Sequence, residues 1–186
     1  TDTIRNGTFF FKRNVGESGM DQLSLMCRDT DFPPMSLDIY ATPGAKIKVT
    51  GTNPLIYTWR VDSPVKEQQE HNRFIEDSRD LWDEFQRLAI KERSMRSASE
   101  AERKALRTKS DSISSIINQR ELKLMKELPI SNVWMEKLLR LSMSLKYNSR
   151  FTNKEEILAL YDRLNEEQKA SIEGQEIRVN LFPPKT

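Results

Sequence analysis

Ser63-Pro64-Val65-Lys66-Glu67-Gln68-Gln69 is where this chain changes character. From residue 65 to residue 173 there is no glycine and a single proline, Pro129. A stretch of that length without either punctuator reads as helical. Five of the six glycines (Gly7, Gly16, Gly19, Gly44 and Gly51) lie upstream, and the sixth is Gly174. Residues 1–62 therefore read as a β-rich unit of short strands and turns, and residues 63–186 as a helical region ending in a linker. The fold class that follows is α+β: a small antiparallel sheet or sandwich, then an α-helical array.

Within the helical part, Ser63 suits an N-cap and Pro64 the first helical position. Ile75, Trp82, Phe85, Leu88 and Ala89 recur on one face, which predicts a single helix to about residue 95. Ser99 with Glu102 is a capping box. Leu106, Ile113, Ile117, Leu124 and Leu128 then step by seven, four, seven and four, a seam suited to antiparallel pairing. Leu128-Pro129 ends that helix, because the residue before proline is pushed out of helical geometry. Ser131 caps the next one, which carries Trp134, Leu138, Leu141 and Leu145. Thr152 with Glu155 predicts another capping box before Ile157, Leu160, Tyr161 and Leu164. Asn165 with Gln168 opens a last short helix, stopped at Gly174.

Upstream, Asn6-Gly7 between Asp2–Arg5 and Thr8–Lys12 is a hairpin signal, since both residues tolerate positive φ. Leu23–Cys27 and Ser36–Tyr40 alternate. Pro43-Gly44 turns the chain into Lys46–Thr50, with Ile47 and Val49 facing inward and Lys46, Lys48 and Thr50 facing water. Gly51–Pro54 turns it again into Tyr57–Val61. About five short strands follow from these patterns.

Composition removes several function classes. Lys and Arg number 30 against 28 Asp and Glu, a formal charge of +2, so bulk charge does not recruit nucleic acid. No apolar run approaches the ~18 residues that span a bilayer. One cysteine, Cys27, and one histidine, His71, exclude an internal disulfide, a Cys-X-X-Cys pair, a Cys-rich zinc site and metal sites built on several histidines. The sequence begins at Thr1 and closes on Phe182-Pro183-Pro184-Lys185-Thr186, a linker-like run, and reads as a piece of a longer polypeptide.

Candidate chemistry is sparse. Cys27 in an alternating strand reads as a small core residue rather than a reactive thiol. His71 lies among Gln68, Gln69, Glu70 and Asn72 and reads as solvated or as a helix–sheet contact. Glu76, Asp77, Asp80, Asp83 and Glu84 crowd one helix, but Arg73, Arg79 and Arg87 are interleaved, the pattern of a solvated ion-pair face. Residues 91–109 carry seven Lys and Arg against three Glu, without aromatic residues for base stacking. No catalytic, cofactor or metal residue is assigned. Tyr57 and Trp59, at the sheet–helix junction, are the natural contacts of a protein- or ligand-binding module, although a tryptophan there also anchors packing.

Taken in order, several segments resemble the N-terminal accessory region, once a domain of unknown function, of envelope thiol–disulfide oxidoreductases of the TlpA/ResA thioredoxin-like kind. They are Asp2-Thr3-Ile4 through Asn6–Phe11, the glycine-flanked Pro43–Gly51, the helix start Val65–Asn72, and Leu160–Leu164 followed by Lys169–Ile177. The resemblance covers most of the chain through loose patterns without a catalytic signature. It implies a non-catalytic region that positions a downstream thioredoxin-like domain of the same polypeptide or binds a partner. It further implies a place in the cell envelope or periplasm and a lipid anchor outside this sequence. Homodimerisation is compatible with it; nucleic acid and cofactors are not expected. The family's redox cysteines have no counterpart here, and Cys27 does not take their role. The alternative is a stand-alone protein- or ligand-binding module without redox role.

Overall fold

The computed structural model describes residues 9–12, 14–16, 19–95, 98–148 and 150–183. The Asn6-Gly7 hairpin lies outside them. The fold is α+β, with four strands among the described residues, followed by seven helices.

The strands form two separate antiparallel ribbons, not one sheet or a stacked sandwich. Strand β1 (Asp21–Leu25) pairs with β2 (Leu37–Ala41), with Leu23 opposite Ile39. Strand β3 (Lys48–Thr50) pairs with β4 (Arg60–Asp62), with Val49 opposite Val61. Thr42-Pro43-Gly44-Ala45 makes the turn between the ribbons. The Ala45 N–H donates to the Thr42 carbonyl, and Gly44 has φ of 75°, a conformation that favours glycine. Ile47 and Val49 face inward and Lys46, Lys48 and Thr50 outward. The predicted strand at Tyr57–Val61 is shorter than expected, because Ile56–Thr58 is a single 3-10 turn.

Side chains of the first helix, α1 (Lys66–Asp77), take the place of a strand between the ribbons. Gln68 Oε1 accepts the outward N–H of Tyr40 in β2 at 2.8 Å, and Gln68 Nε2 donates to Asn72 Oδ1 at 2.9 Å. Asn72 Nδ2 in turn donates to the Val61 carbonyl of β4 at 2.8 Å. Main-chain groups that a neighbouring strand would have paired are thus satisfied by two amides one helical turn apart.

Ser63 does not cap α1. Its Oγ accepts the Val65 N–H two residues on, and the helix begins after an uncapped, extended Val65. The single helix predicted to residue 95 is two. At Ser78 (φ −125°, ψ 24°) the helical course breaks, and α2 (Arg79–Ser94) sets off in a new phase. Contacts across the break hold it: Arg79 donates to the Thr58 carbonyl at 2.9 Å, and Gln86 Oε1 accepts the Tyr57 N–H at 3.0 Å. Both partners lie in the 3-10 turn.

The Ser99–Glu102 capping box starts α3 (Glu100–Glu127), and extended Leu128 before Pro129 ends it. The first part of the predicted seam pairs with α2: Leu106, Ile113 and Ile117 bury against Leu88. Its second part serves another interior, where Leu128 and partly buried Leu124 meet the later helices. Ser131 Oγ accepts the Trp134 N–H at the start of α4 (Asn132–Tyr147). The box predicted from Thr152 and Glu155 is absent: α5 (Lys154–Asp162) is preceded by Asn153, whose side chain donates to Glu156. The Asn165–Gln168 box does open α6 (Glu166–Ala170).

Gly174 does not stop a helix. Ser171 ends α6 and caps α7 (Ile172–Leu181), accepting the Gly174 N–H, so Gly174 lies in the first turn of a new helix. A Cβ at this position would stand 2.1 Å from the Gln168 carbonyl oxygen, and close approach of backbone is what requires the glycine.

The largest apolar interior gathers Phe74, Leu122, Met125, Trp134, Leu138, Leu141, Ile157, Leu160 and Ile177, together with Tyr40 from β2. Trp134 is fully buried and donates to the Met125 carbonyl at 3.0 Å. Arg163 lies over the Trp134 ring and donates to the Met125 and Leu128 carbonyls, closing the C-terminus of α3 with a cation. A smaller interior of Leu37, Ile56, Val61 and Ile75 lies beneath the ribbons.

Candidate functional site

Chemistry-bearing side chains converge in the interior where β2, α1, α3 and α4 meet. Helix α1 presents Gln68, His71 and Asn72 on one face by their three- and four-residue spacing. Helix α3 adds Asn118 and Glu121, α4 adds Glu136, Lys137 and Arg140, and β2 adds Tyr40. Gln68, His71, Asn118 and Glu121 are all buried.

The carboxylate of Glu121 pairs with the Arg140 guanidinium and lies 3.6 Å from Lys137 Nζ. Arg140 also donates to Asn118 Oδ1 at 3.0 Å, and Lys137 Nζ sits 5.2 Å from the Phe74 ring centroid. The Tyr40 hydroxyl donates to Glu136 Oε2 at 2.5 Å. The His71 ring lies 5.5 Å from the Tyr40 ring, and its buried Nδ1 has no hydrogen-bond partner among the described residues.

This environment moves the titrations. Burial, with Lys137 and Arg140 nearby, pushes the His71 imidazole down to about 3, so it is neutral at pH 7. Burial lowers Lys137 to about 8 against the pull of Asp38 and Glu136. Burial, then the hydrogen bond to Glu136, raises the Tyr40 phenol, and burial likewise raises Glu136. Perturbed titrations also accompany structural ion-pair networks, and here Glu121 pairs with Lys137 and Arg140, and Tyr40 with Glu136. The arrangement cross-links α3 to α4 and β2 to α4.

The sequence reading missed this cluster. It placed His71 among solvated or helix–sheet options, and the buried contact with Tyr40 is the second of these. It assigned no role to Tyr40, Gln68, Glu121, Lys137 or Arg140. The one signal available was Glu136-Lys137 set between Trp134 and Leu138 on an otherwise apolar helix face.

Tyr57 and Trp59 pack, half-buried, around the 3-10 turn. Tyr57 meets Trp82 edge-on at 4.7 Å, and its phenol is pushed up to about 12 by burial and then by Asp38. Trp59 lies against Gly51, donates to the Asn53 carbonyl at 2.7 Å and meets Phe32 edge-on. Trp59 borders a crevice of about 10 Å³ beside Leu37, Ile75 and Glu76. Next to it, an open groove of about 560 Å³ between β4 and α1 is lined by Arg60, Asp62, Gln69, Asn72, Glu76 and Arg79 among others.

Four of the five clustered carboxylates are paired with cations at the surface: Glu76 with Arg79, Asp80 with Arg120, Asp83 with Arg87, and Glu84 with Lys109. Two of these pairs join α2 to α3, which sequence spacing on one helix could not reveal. The bidentate hydrogen bonds from Arg120 hold the Asp80 carboxyl below its usual range. In the basic segment, Arg107 pairs with Glu92. Cys27 follows β1 as a half-buried free thiol. Among the described residues, no group of three or more His, Cys, Asp or Glu is placed to hold a metal ion, and no helix is long and apolar enough to cross a membrane.

No family model, characterised protein or solved structure matches this chain.

Proposed function

We propose that this chain is the non-catalytic accessory region of a bacterial envelope thiol–disulfide oxidoreductase, which positions a downstream thioredoxin-like domain or docks its partner. The reading rests on the ordered resemblance, and one observation carries it. The resembling segments are framework: Pro43–Gly51 supplies a turn and β3, Val65–Asn72 opens α1, and Leu160–Ile177 spans the end of α5 to α7. A lone thiol cannot close an intramolecular disulfide, so the paired sulfurs of such a protein would reside elsewhere in the polypeptide.

The coding sequence on both sides of these residues tests the reading, together with an insulin-reduction assay of residues 1–186. The expected result is a downstream Cys-X-X-Cys domain and no turnover by the 186-residue chain alone. A parent polypeptide without that pair, or measurable turnover by this chain, overturns it. The second reading, a binding module with no redox role, draws support from the open groove between β4 and α1.

A further inference from the structure

The groove between β4 and α1 runs along two antiparallel walls. Thr58 receives a hydrogen bond from Arg79, Val61 from Asn72 and Ser63 from Gln69, so ascending strand positions meet descending helix positions. Arg60 therefore stands at the end near Glu76 and Arg79, and Asp62 at the end near Gln69. Both are exposed, whereas Val61 between them is buried. Alternation places Arg60 and Asp62 on one face, about 6.6 Å apart along the strand.

The other charges of the groove are already engaged. Arg79 donates to the Thr58 carbonyl and faces Glu76 at 3.7 Å. Among the described residues, no hydrogen bond or ion pair engages the side chain of Arg60 or Asp62. Lys48 stands opposite Asp62 in the ribbon but does not line the groove. The groove thus presents one unengaged cation and one unengaged anion at a two-residue strand spacing. The lining between them is mainly polar, since Val61 turns its side chain into the interior, and this disfavours an apolar ligand. The outward Val61 carbonyl is taken by Asn72, so recognition falls to the side chains.

We propose that this groove binds an extended peptide segment carrying one acidic and one basic side chain two residues apart. In an extended peptide those side chains share a face at the same ~6.6 Å repeat, so each meets its opposite on β4. The inference is independent of the redox reading, since it concerns what the groove recognises and not which polypeptide supplies it.

The test is an NMR titration of the ¹⁵N-labelled chain with three capped hexapeptides of a common Thr/Val background. They differ only in a central Glu-Val-Lys, Glu-Val-Glu or Lys-Val-Lys. The mixed peptide should shift the amides of residues 60–63 and 69–79. It should bind at least about fivefold more tightly than either like-charged peptide, with the preference fading at high salt. Asp62→Lys, at an exposed position, should transfer the preference to Glu-Val-Glu. Equal binding of all three peptides by the wild-type chain, shifts centred elsewhere, no binding at all, or an unchanged preference in the variant overturns the proposal.

Discussion

Trp134 and Lys137 lie three residues apart on α4 and belong to two different kinds of interior. The Trp134 side is apolar: Leu138, Leu141, Ile157, Leu160 and Ile177 surround it at helical spacings. Water release stabilises such a core without regard to direction. The Lys137 side is polar and closed by specific pairs: Glu121 with Arg140 and Lys137, Gln68 with Tyr40, and Glu136 with Tyr40. Burying an ion pair gains little over an apolar equivalent, while losing one partner leaves a charge stranded. One interior therefore fails by degrees as atoms are removed, and the other by single deletions. What the polar side provides is direction, because each contact needs a matched donor and acceptor in a defined geometry.

The comparison can be broken at four places. Trp134→Ala should cost about 4 kcal/mol in urea unfolding, from lost burial and cavity formation. A loss below about 1 kcal/mol would mean that Trp134 does not anchor the helical core. Glu121→Ala should cost about 3 kcal/mol, because Lys137, 13% exposed, keeps a buried charge. The triple change Glu121→Leu, Lys137→Met and Arg140→Leu should recover more than half of that loss, since Arg140 Nη2, like Lys137, is buried beside Glu121. No recovery would show that the pair itself, not the stranded charge, sets the cost.

The third test reads pH. The folded-state imidazole of His71 titrates at about 3, below its unfolded value of 6.5. Its contribution to stability is therefore complete above pH 6.5 and is lost as pH falls toward 3. Between pH 6 and 5 the wild-type chain should lose up to ~1.4 kcal/mol per pH unit that His71→Gln does not lose. Equal slopes for the two proteins would place the imidazole in water. The smallest expected effect is at a helix end: Ser99→Ala should cost about 1 kcal/mol of thermal stability by removing one half of the α3 capping box.

The same contrast governs how far the sequence could be read. Helix ends set by local chemistry were legible: Ser99 with Glu102, Leu128-Pro129, Ser131, and Asn165 with Gln168 all act as their neighbours in sequence imply. The apolar stripe of α4 was legible for the same reason. Long-range partners decided what was not. Gln68 and His71 look solvated because the Tyr40 amide and ring that meet them lie 28 and 31 residues away. Ser78 breaks a helix without glycine or proline, and the Thr58 and Tyr57 groups that meet Arg79 and Gln86 beyond the break lie 21 and 29 residues away. Gly174 looked like a terminator, but the constraint is a carbonyl from the preceding helix. Of the candidate contacts, Trp59 could be placed at the sheet–helix junction, whereas the charges of Arg60 and Asp62 acquire meaning only beside α1.

The break at Ser78 also bears on how this chain can change length. An unbroken helix would transmit any insertion or deletion as a turn of about 100° per residue to everything beyond it. Here Phe74 and Ile75 commit α1 to two interiors before the break, and Leu88 commits α2 to a third after it. The joint at Ser78 gives each arm its own angular setting, with Trp82 of α2 reaching back to the interior that Ile75 enters. A residue gained or lost inside either arm would derail that arm's seating, and the joint itself is the one place along residues 66–94 where the rotation can be reset.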